Sequence, residues 1–176
     1  EREKTACRVD MNMRWLYNVQ NSLCAIAMVT ALGFDMTECA KALSDLDGVD
    51  GRMNVVYRGD FTVITDYAHT DDALIKVLST LKPLTKGRLI CVFGAAGDRD
   101  KEKRPMMAKA AEDNADILVI TSDNPAHENP DEIIREVMTG ISGKKPCRCI
   151  TDRREAIAYA LDTARKDDVI ILCGKG

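Results

Sequence analysis

Apolar positions along the chain change rhythm near Met53. Before it the spacing is helical: Val19, Leu23, Ile26 and Ala27 form one stripe, with Gly33 following as a left-handed cap. A second helix is predicted to begin after Thr37 as N-cap and to carry Cys39, Ala40, Leu43 and Leu46. The run Asp47-Gly48-Val49-Asp50-Gly51 then has strong turn chemistry. Beyond Met53, four short runs are almost wholly apolar: Phe61-Ile64, Leu89-Phe93, Ile117-Ile120 and Val169-Leu172, with a weaker fifth at Cys147-Ile150. Continuous runs rich in β-branched residues suit strands buried on both faces, as inside a parallel sheet. Helical stretches are predicted between them near 72–81, 105–114, 131–139 and 153–164, where Pro105 and Asp131 suit a first turn.

Strand-helix alternation predicts a Rossmann-like α/β domain, a mostly parallel sheet flanked by helices, preceded by a helical piece. The boundary falls near residue 50, giving segments 1–50 and 51–176. In such sheets ligands gather beyond the carboxyl ends of the strands. That rule directs attention to Thr65-Thr70, Gly94-Arg104, Thr121-Glu128, Thr151-Arg153 and Cys173-Gly176. The last of these directly follows a strand, so a longer natural chain is expected.

Composition narrows the classes. With 45% hydrophobic and 30% charged residues, the 176-residue chain reads as globular rather than disordered. A net charge of -3 with interspersed signs excludes a basic nucleic-acid footprint. The longest apolar run, Leu23-Val29, is too short to cross a bilayer, and Glu1-Arg2-Glu3-Lys4 lacks the apolar centre of a secretion leader. A cytoplasmic protein without membrane partners is expected. The seven cysteines include no C-x-x-C pair; Cys24, Cys91 and Cys173 sit in apolar runs, the usage of a reducing compartment.

Three polar clusters follow predicted strands. In Gly94-Ala95-Ala96-Gly97-Asp98-Arg99-Asp100 two glycines permit a tight turn, and Arg99 offers a planar fork for a carboxylate or phosphate. A tight turn with solvated ion pairs is the plainer alternative. In Thr121-Ser122-Asp123-Asn124-Pro125, Asp123 and Asn124 are able to face an ammonium group, or simply to make a turn. In Asp66-Tyr67-Ala68-His69-Thr70, His69 is a candidate for acid–base work, for a backbone contact or for stacking on a base. No G-x-x-x-x-G-K-[ST] phosphate loop and no metal-ligand spacing occurs.

These clusters, with Tyr17-Asn18-Val19-Gln20-Asn21, Gly51-Arg52-Met53, Lys103-Arg104-Pro105 and Gly174-Lys175-Gly176, resemble the Mur ligase family. The closest likeness is to its UDP-N-acetylmuramoyl-tripeptide synthetase branch. The resemblance runs from about Tyr17 to the last residue; residues 1 to about 15 match nothing. It implies that segment 1–50 is the end of the central ATP-binding domain and that 51–176 is most of the C-terminal amino-acid-binding domain. It also implies an ATP-dependent ligase, with magnesium, joining a diamino acid to UDP-MurNAc-dipeptide through an acyl phosphate in peptidoglycan synthesis. The enzyme is expected to be a monomer with small-molecule substrates only.

By the same resemblance Asn18 and Arg52 contact ATP, with Asp66, Tyr67 and His69 around the nucleotide. Arg99 grips the amino-acid carboxylate, Asp123 and Asn124 hold its far end beside Pro125 and Ala126, and Gly174 contributes backbone. No catalytic or metal residue is assigned. The sequence departs from the family at Asp71, where proline is usual, and at Ala96, where glycine is common. It also has Ala126 where forms adding meso-diaminopimelate have arginine. Forms with alanine add lysine, so L-lysine is expected, although the neighbouring His127 is able to substitute in part. Other members of the superfamily, of the cyanophycin or folylpolyglutamate type, resemble the chain less. Without a phosphate loop the chain alone is expected to bind amino acid or nucleotide without turnover.

Overall fold

The computed structural model describes residues 6–13 and 16–175; Glu1-Thr5, Arg14, Trp15 and Gly176, the last of the Gly174-Lys175-Gly176 string, lie outside the described residues. The chain divides into two compact units, Glu1–Val49 and Asp50–Gly176.

The first unit carries helix α1 (Leu16–Ala31) and helix α2 (Met36–Ser44). Gly33 has φ +96°, and the Phe34 amide reaches back to the Val29 carbonyl, the expected left-handed termination. Two expectations are corrected. The N-cap of α2 is Asp35, not Thr37: its carboxylate accepts the Thr37 and Glu38 amides at 2.8 and 3.2 Å. A carboxylate at that place also complements the positive helix end, so it outcompetes the hydroxyl two residues later. The predicted apolar stripe of α1 is also not a buried one, since Val19 and Leu23 are exposed while Ser22 is buried.

The second unit is a six-stranded sheet in the order β1-β2-β6-β3-β4-β5. The strands are β1 (Asn54–Arg58), β2 (Thr62–Asp66), β3 (Leu89–Phe93), β4 (Ile117–Ile120), β5 (Cys147–Cys149) and β6 (Val169–Cys173). All neighbours are parallel except β1, which runs antiparallel to β2 with a bulge between Val55 and Tyr57. The sequence reading missed β1. Its residues are mostly exposed, so no buried run marks it.

Helices α3 (Asp71–Leu81), α4 (Lys103–Asn114), α5 (Pro130–Met138) and α6 (Arg153–Thr163) connect the strands. Thr70, Asn129 and Asp152 cap α3, α5 and α6 with side-chain oxygens, and acidic residues occupy their first turns. The path from β2 through β3 and β4 to β5 moves one way across the sheet, so right-handed crossovers put α3, α4 and α5 together on one face. The return from β5 to β6 puts α6 on the other. There Ala156 and Ala160 pack on Val63, Ile90, Val92, Val119 and Ile170. The alternate residues, among them Ile64, Leu89, Phe93, Leu118 and Ile171, are also buried, as the two-residue period of a sheet covered on both faces requires.

Candidate functional site

Four strand ends of the second unit open on one cleft of about 890 Å³. Its wall comes from Tyr67, His69 and Thr70 after β2, from Ala95 to Asp100 after β3, from Asp123, Asn124 and Ala126 after β4, and from Gly174 and Lys175 after β6. Lys103, Arg104 and Met107 of α4 complete it.

Two of the tips are locked together by backbone. The Gly97 amide donates to the Asn124 carbonyl at 2.8 Å, and a Cβ at Gly97 would stand 1.9 Å from the Pro125 carbonyl oxygen. Only glycine allows this approach. Gly174 has φ +97°, and a Cβ there would meet the Asp123 carboxylate at 2.8 Å. The β4 and β6 tips therefore face each other across that carboxylate.

Asp123 is the most buried acid of the wall, its side chain 8% exposed and 3.8 Å from the Lys175 ammonium. Burial pushes its carboxyl above the ordinary range, against the opposing charges of Arg153, Lys175 and His69. A desolvated carboxylate in a cleft suits an incoming cation. Arg99, on the β3 loop that lines the same cleft, is exposed, with Asp98 and Asp100 beside it in the chain. Ala126 takes φ +49°, a left-handed conformation, and presents only a methyl group to the cleft.

The loop holding Arg99 rests on an ion network that sequence reasoning missed. Arg104, 1% exposed, donates to both carboxylate oxygens of Glu128 at 2.9 and 2.7 Å, to Glu136 at 2.5 Å and to the Ala96 carbonyl at 3.2 Å. Glu128 also accepts the Asp98 amide at 2.7 Å. The Arg104 guanidinium, then this amide, hold the Glu128 carboxyl at about 2. His127, the neighbour expected to substitute for a missing arginine, instead pairs with Asp98 at 2.6 Å, which raises its pKa. It is not part of the cleft wall.

At the β2 tip, Asp66 is committed to the backbone. Its oxygens accept the Met53 and Ala68 amides at 2.9 and 2.8 Å, which pins the loop carrying Arg52. The Arg52 guanidinium lies over the Tyr67 ring at 5.0 Å, and His69 meets the same ring edge-on at 5.0 Å. The His69 Nδ1 donates to the Tyr67 carbonyl at 2.8 Å. The cleft thus gathers Tyr67, His69, Arg99, Asp123, Asn124, Ala126 and Gly174. Arg52 and Asp66 stand behind it, Pro125 contributes a carbonyl to the loop contact, and Asn18 belongs to α1 of the first unit. Among the described residues no group of three His, Cys, Asp or Glu side chains is placed to hold a metal ion, and no helix is long and apolar enough to cross a membrane.

The family pattern described as "Mur ligase, glutamate ligase domain" matches residues 51–176, the second unit almost to the residue. The UDP-N-acetylmuramoyl-L-alanyl-D-glutamate–2,6-diaminopimelate ligase of Caldanaerobacter subterraneus subsp. tengcongensis is 48% identical over 170 residues, 96% of this chain and 35% of the relative. A ligase of the same description from Clostridium acetobutylicum is 46% identical over 171 residues, 96% of this chain and 35% of the relative. A solved structure of such a ligase superposes with a TM-score of 0.71 at 39% identity, covering 96% of this chain and 35% of that one. The chain therefore spans about a third of the length of the relatives it matches. The match over residues 51–176, more than half of the chain, shows that this chain belongs to the Mur ligase family.

Proposed function

We propose that the chain is part of an ATP-dependent ligase that adds a diamino acid to UDP-N-acetylmuramoyl-L-alanyl-D-glutamate, acting as a monomer in peptidoglycan synthesis. In this reading segment 1–50 ends the ATP-binding domain, and 51–176 receives the incoming amino acid. The observation that carries it is the cleft lined both by Arg99 of the β3 loop and by the buried Asp123 of the β4 loop. Arg99 takes the α-carboxylate in its planar fork, while Asp123, with Asn124, takes the distal ammonium. Gly174 lends backbone at the same rim.

The substrate's terminal carboxylate is activated by ATP as an acyl phosphate, which the amine of the bound amino acid attacks. Holding that amine in place is worth roughly 7–11 kcal/mol in well-oriented systems. Arg52, stacked on Tyr67 beside His69, makes a cationic and aromatic surface suited to a nucleotide. Asn18, on α1 of the first unit, is the further residue assigned to ATP in this reading. Asp66 serves that surface by fixing the Arg52 loop. Magnesium is expected to accompany ATP in the intact enzyme.

The relatives carry 2,6-diaminopimelate in their descriptions, yet this cleft argues for L-lysine. Diaminopimelate brings a second carboxylate to the position beyond Pro125, where Ala126 offers no donor and His127 is engaged by Asp98. An unpaired carboxylate there costs more than its absence gains. Ligation by the intact enzyme with each amino acid tests this: lysine is expected to have the higher kcat/KM, and preference for diaminopimelate would refute the argument from Ala126.

A further inference from the structure

Arg153 lies behind the cleft wall and was not among the expected site residues. It is the first residue of α6, followed by Arg154. Cations are disfavoured at a helix N-terminus, whose exposed amides carry partial positive charge. Its side chain instead answers to the tips of the sheet. One terminal nitrogen donates to the Cys173 carbonyl at 2.6 Å, and the other reaches the Ser122 carbonyl at 3.4 Å. Those carbonyls immediately precede Gly174 and Asp123, the pair that meet at the Asp123 carboxylate. One guanidinium therefore spans the ends of β6 and β4.

We propose that Arg153 is a positioning residue of the amino-acid cleft, bracing the β4 and β6 tips and supplying the fixed positive charge against which the Asp123 carboxylate is held. This rests on the reading that the cleft receives the incoming amino acid. The other charged groups near Asp123 are Lys175 after β6 and His69 after β2, both exposed, while Arg99 on the β3 loop lines the same cleft. Neither Lys175 nor His69 is tied to backbone on both sides of the carboxylate. Arg153 offers a planar fork that a lysine lacks. Burial alone favours the protonated form of Asp123, which cannot pair with an ammonium; the guanidinium works against that.

The test uses the full-length ligase, with KM and kcat for the amino acid measured between pH 6 and 9 in Arg153→Met, Arg153→Lys and Asp123→Asn. Arg153→Met is expected to raise the amino-acid KM tenfold or more near pH 7, with kcat changed less than threefold. Its KM falls as pH rises, because Asp123 now ionises later, whereas the wild-type profile is flat. Arg153→Lys keeps the charge but not the brace: KM stays raised and the profile returns to flat. If Arg153→Met fails to fold in a thermal melt, the Lys variant alone decides, and wild-type KM in it would overturn the proposal. A wild-type KM and flat profile in Arg153→Met would overturn it equally. Should Asp123→Asn raise KM while Arg153→Met does not, the Arg153 inference alone is lost; should Asp123→Asn leave KM unchanged, the amino-acid reading of the cleft is lost with it.

Discussion

Replacing Gly97 with alanine places a Cβ 1.9 Å from the Pro125 carbonyl oxygen and 2.5 Å from its carbon. Real Cβ atoms essentially never come within 3.0 Å of such a neighbour, so the two loops must part by about 1.1 Å, the difference between 3.0 and 1.9. Both colliding groups are backbone, so no side chain can swing aside. Parting the loops by that much stretches the Gly97–Asn124 hydrogen bond from 2.8 Å beyond useful range, a loss of about 0.5–1.5 kcal/mol. Strain of an overpacked contact brings the expected total to roughly 1–3 kcal/mol. The midpoint of urea unfolding should fall accordingly with the slope unchanged. The larger effect is functional, since Arg99 and Asp123 move apart. A 1 Å misplacement of binding groups costs up to about a hundredfold in rate. A Gly97→Ala protein with the parent's urea midpoint and the parent's kcat/KM in the intact ligase would refute the claim that the loop contact sets the cleft.

Three further outcomes are expected. Glu112 is buried and accepts the Ser142 hydroxyl and amide at 2.7 and 2.9 Å and the Lys144 amide at 3.0 Å, and its carboxyl is held at about 2. Its folded pKa lies below the ordinary 4.5, so its contribution is complete above that value and is lost as pH falls toward 2; Glu112→Gln should flatten the acid limb of a pH–stability curve. The Cys149 thiol, lowered to about 7 by a hydrogen bond from Cys147, should be the first cysteine alkylated by iodoacetamide at pH 7.5, as mapped by mass spectrometry, with the buried Cys91 and Cys173 unreacted. Arg88→Met should cost about 3 kcal/mol in chemical unfolding, because Asp168, 2% exposed, loses its guanidinium partner at 2.5 Å and keeps only backbone donors.

The parts of the fold legible in sequence are those where both faces of an element are buried. β3 and β4 match the predicted apolar runs Leu89-Phe93 and Ile117-Ile120 to the residue, because every position must be apolar there. β1 was illegible for the converse reason: an edge strand with Val55, Val56 and Tyr57 exposed and a bulge between them has neither a continuous run nor clean alternation. The α1 stripe misled, since periodicity states which residues would share a face and not whether anything covers them. At the site, the clusters were visible as polar residues after strands, and the cleft gathers most of them. The support beneath them was not. Arg104 bonding Glu128, Asp66 holding the Met53 amide and Arg153 reaching Cys173 join residues 24, 13 and 20 positions apart, and local pattern does not encode such partners.

The place of β6 in the sheet has a consequence for how the unit acquires its shape. It comes last of the six strands in the chain, yet it lies between β2 and β3. Until Val169–Cys173 has left the ribosome, the growing polypeptide holds only two separate half-sheets, each with an open, aggregation-prone edge. Closure waits for pairings spanning roughly a hundred positions, which slows folding. The same insertion completes the cleft, so the cleft and the hydrophobic centre mature together.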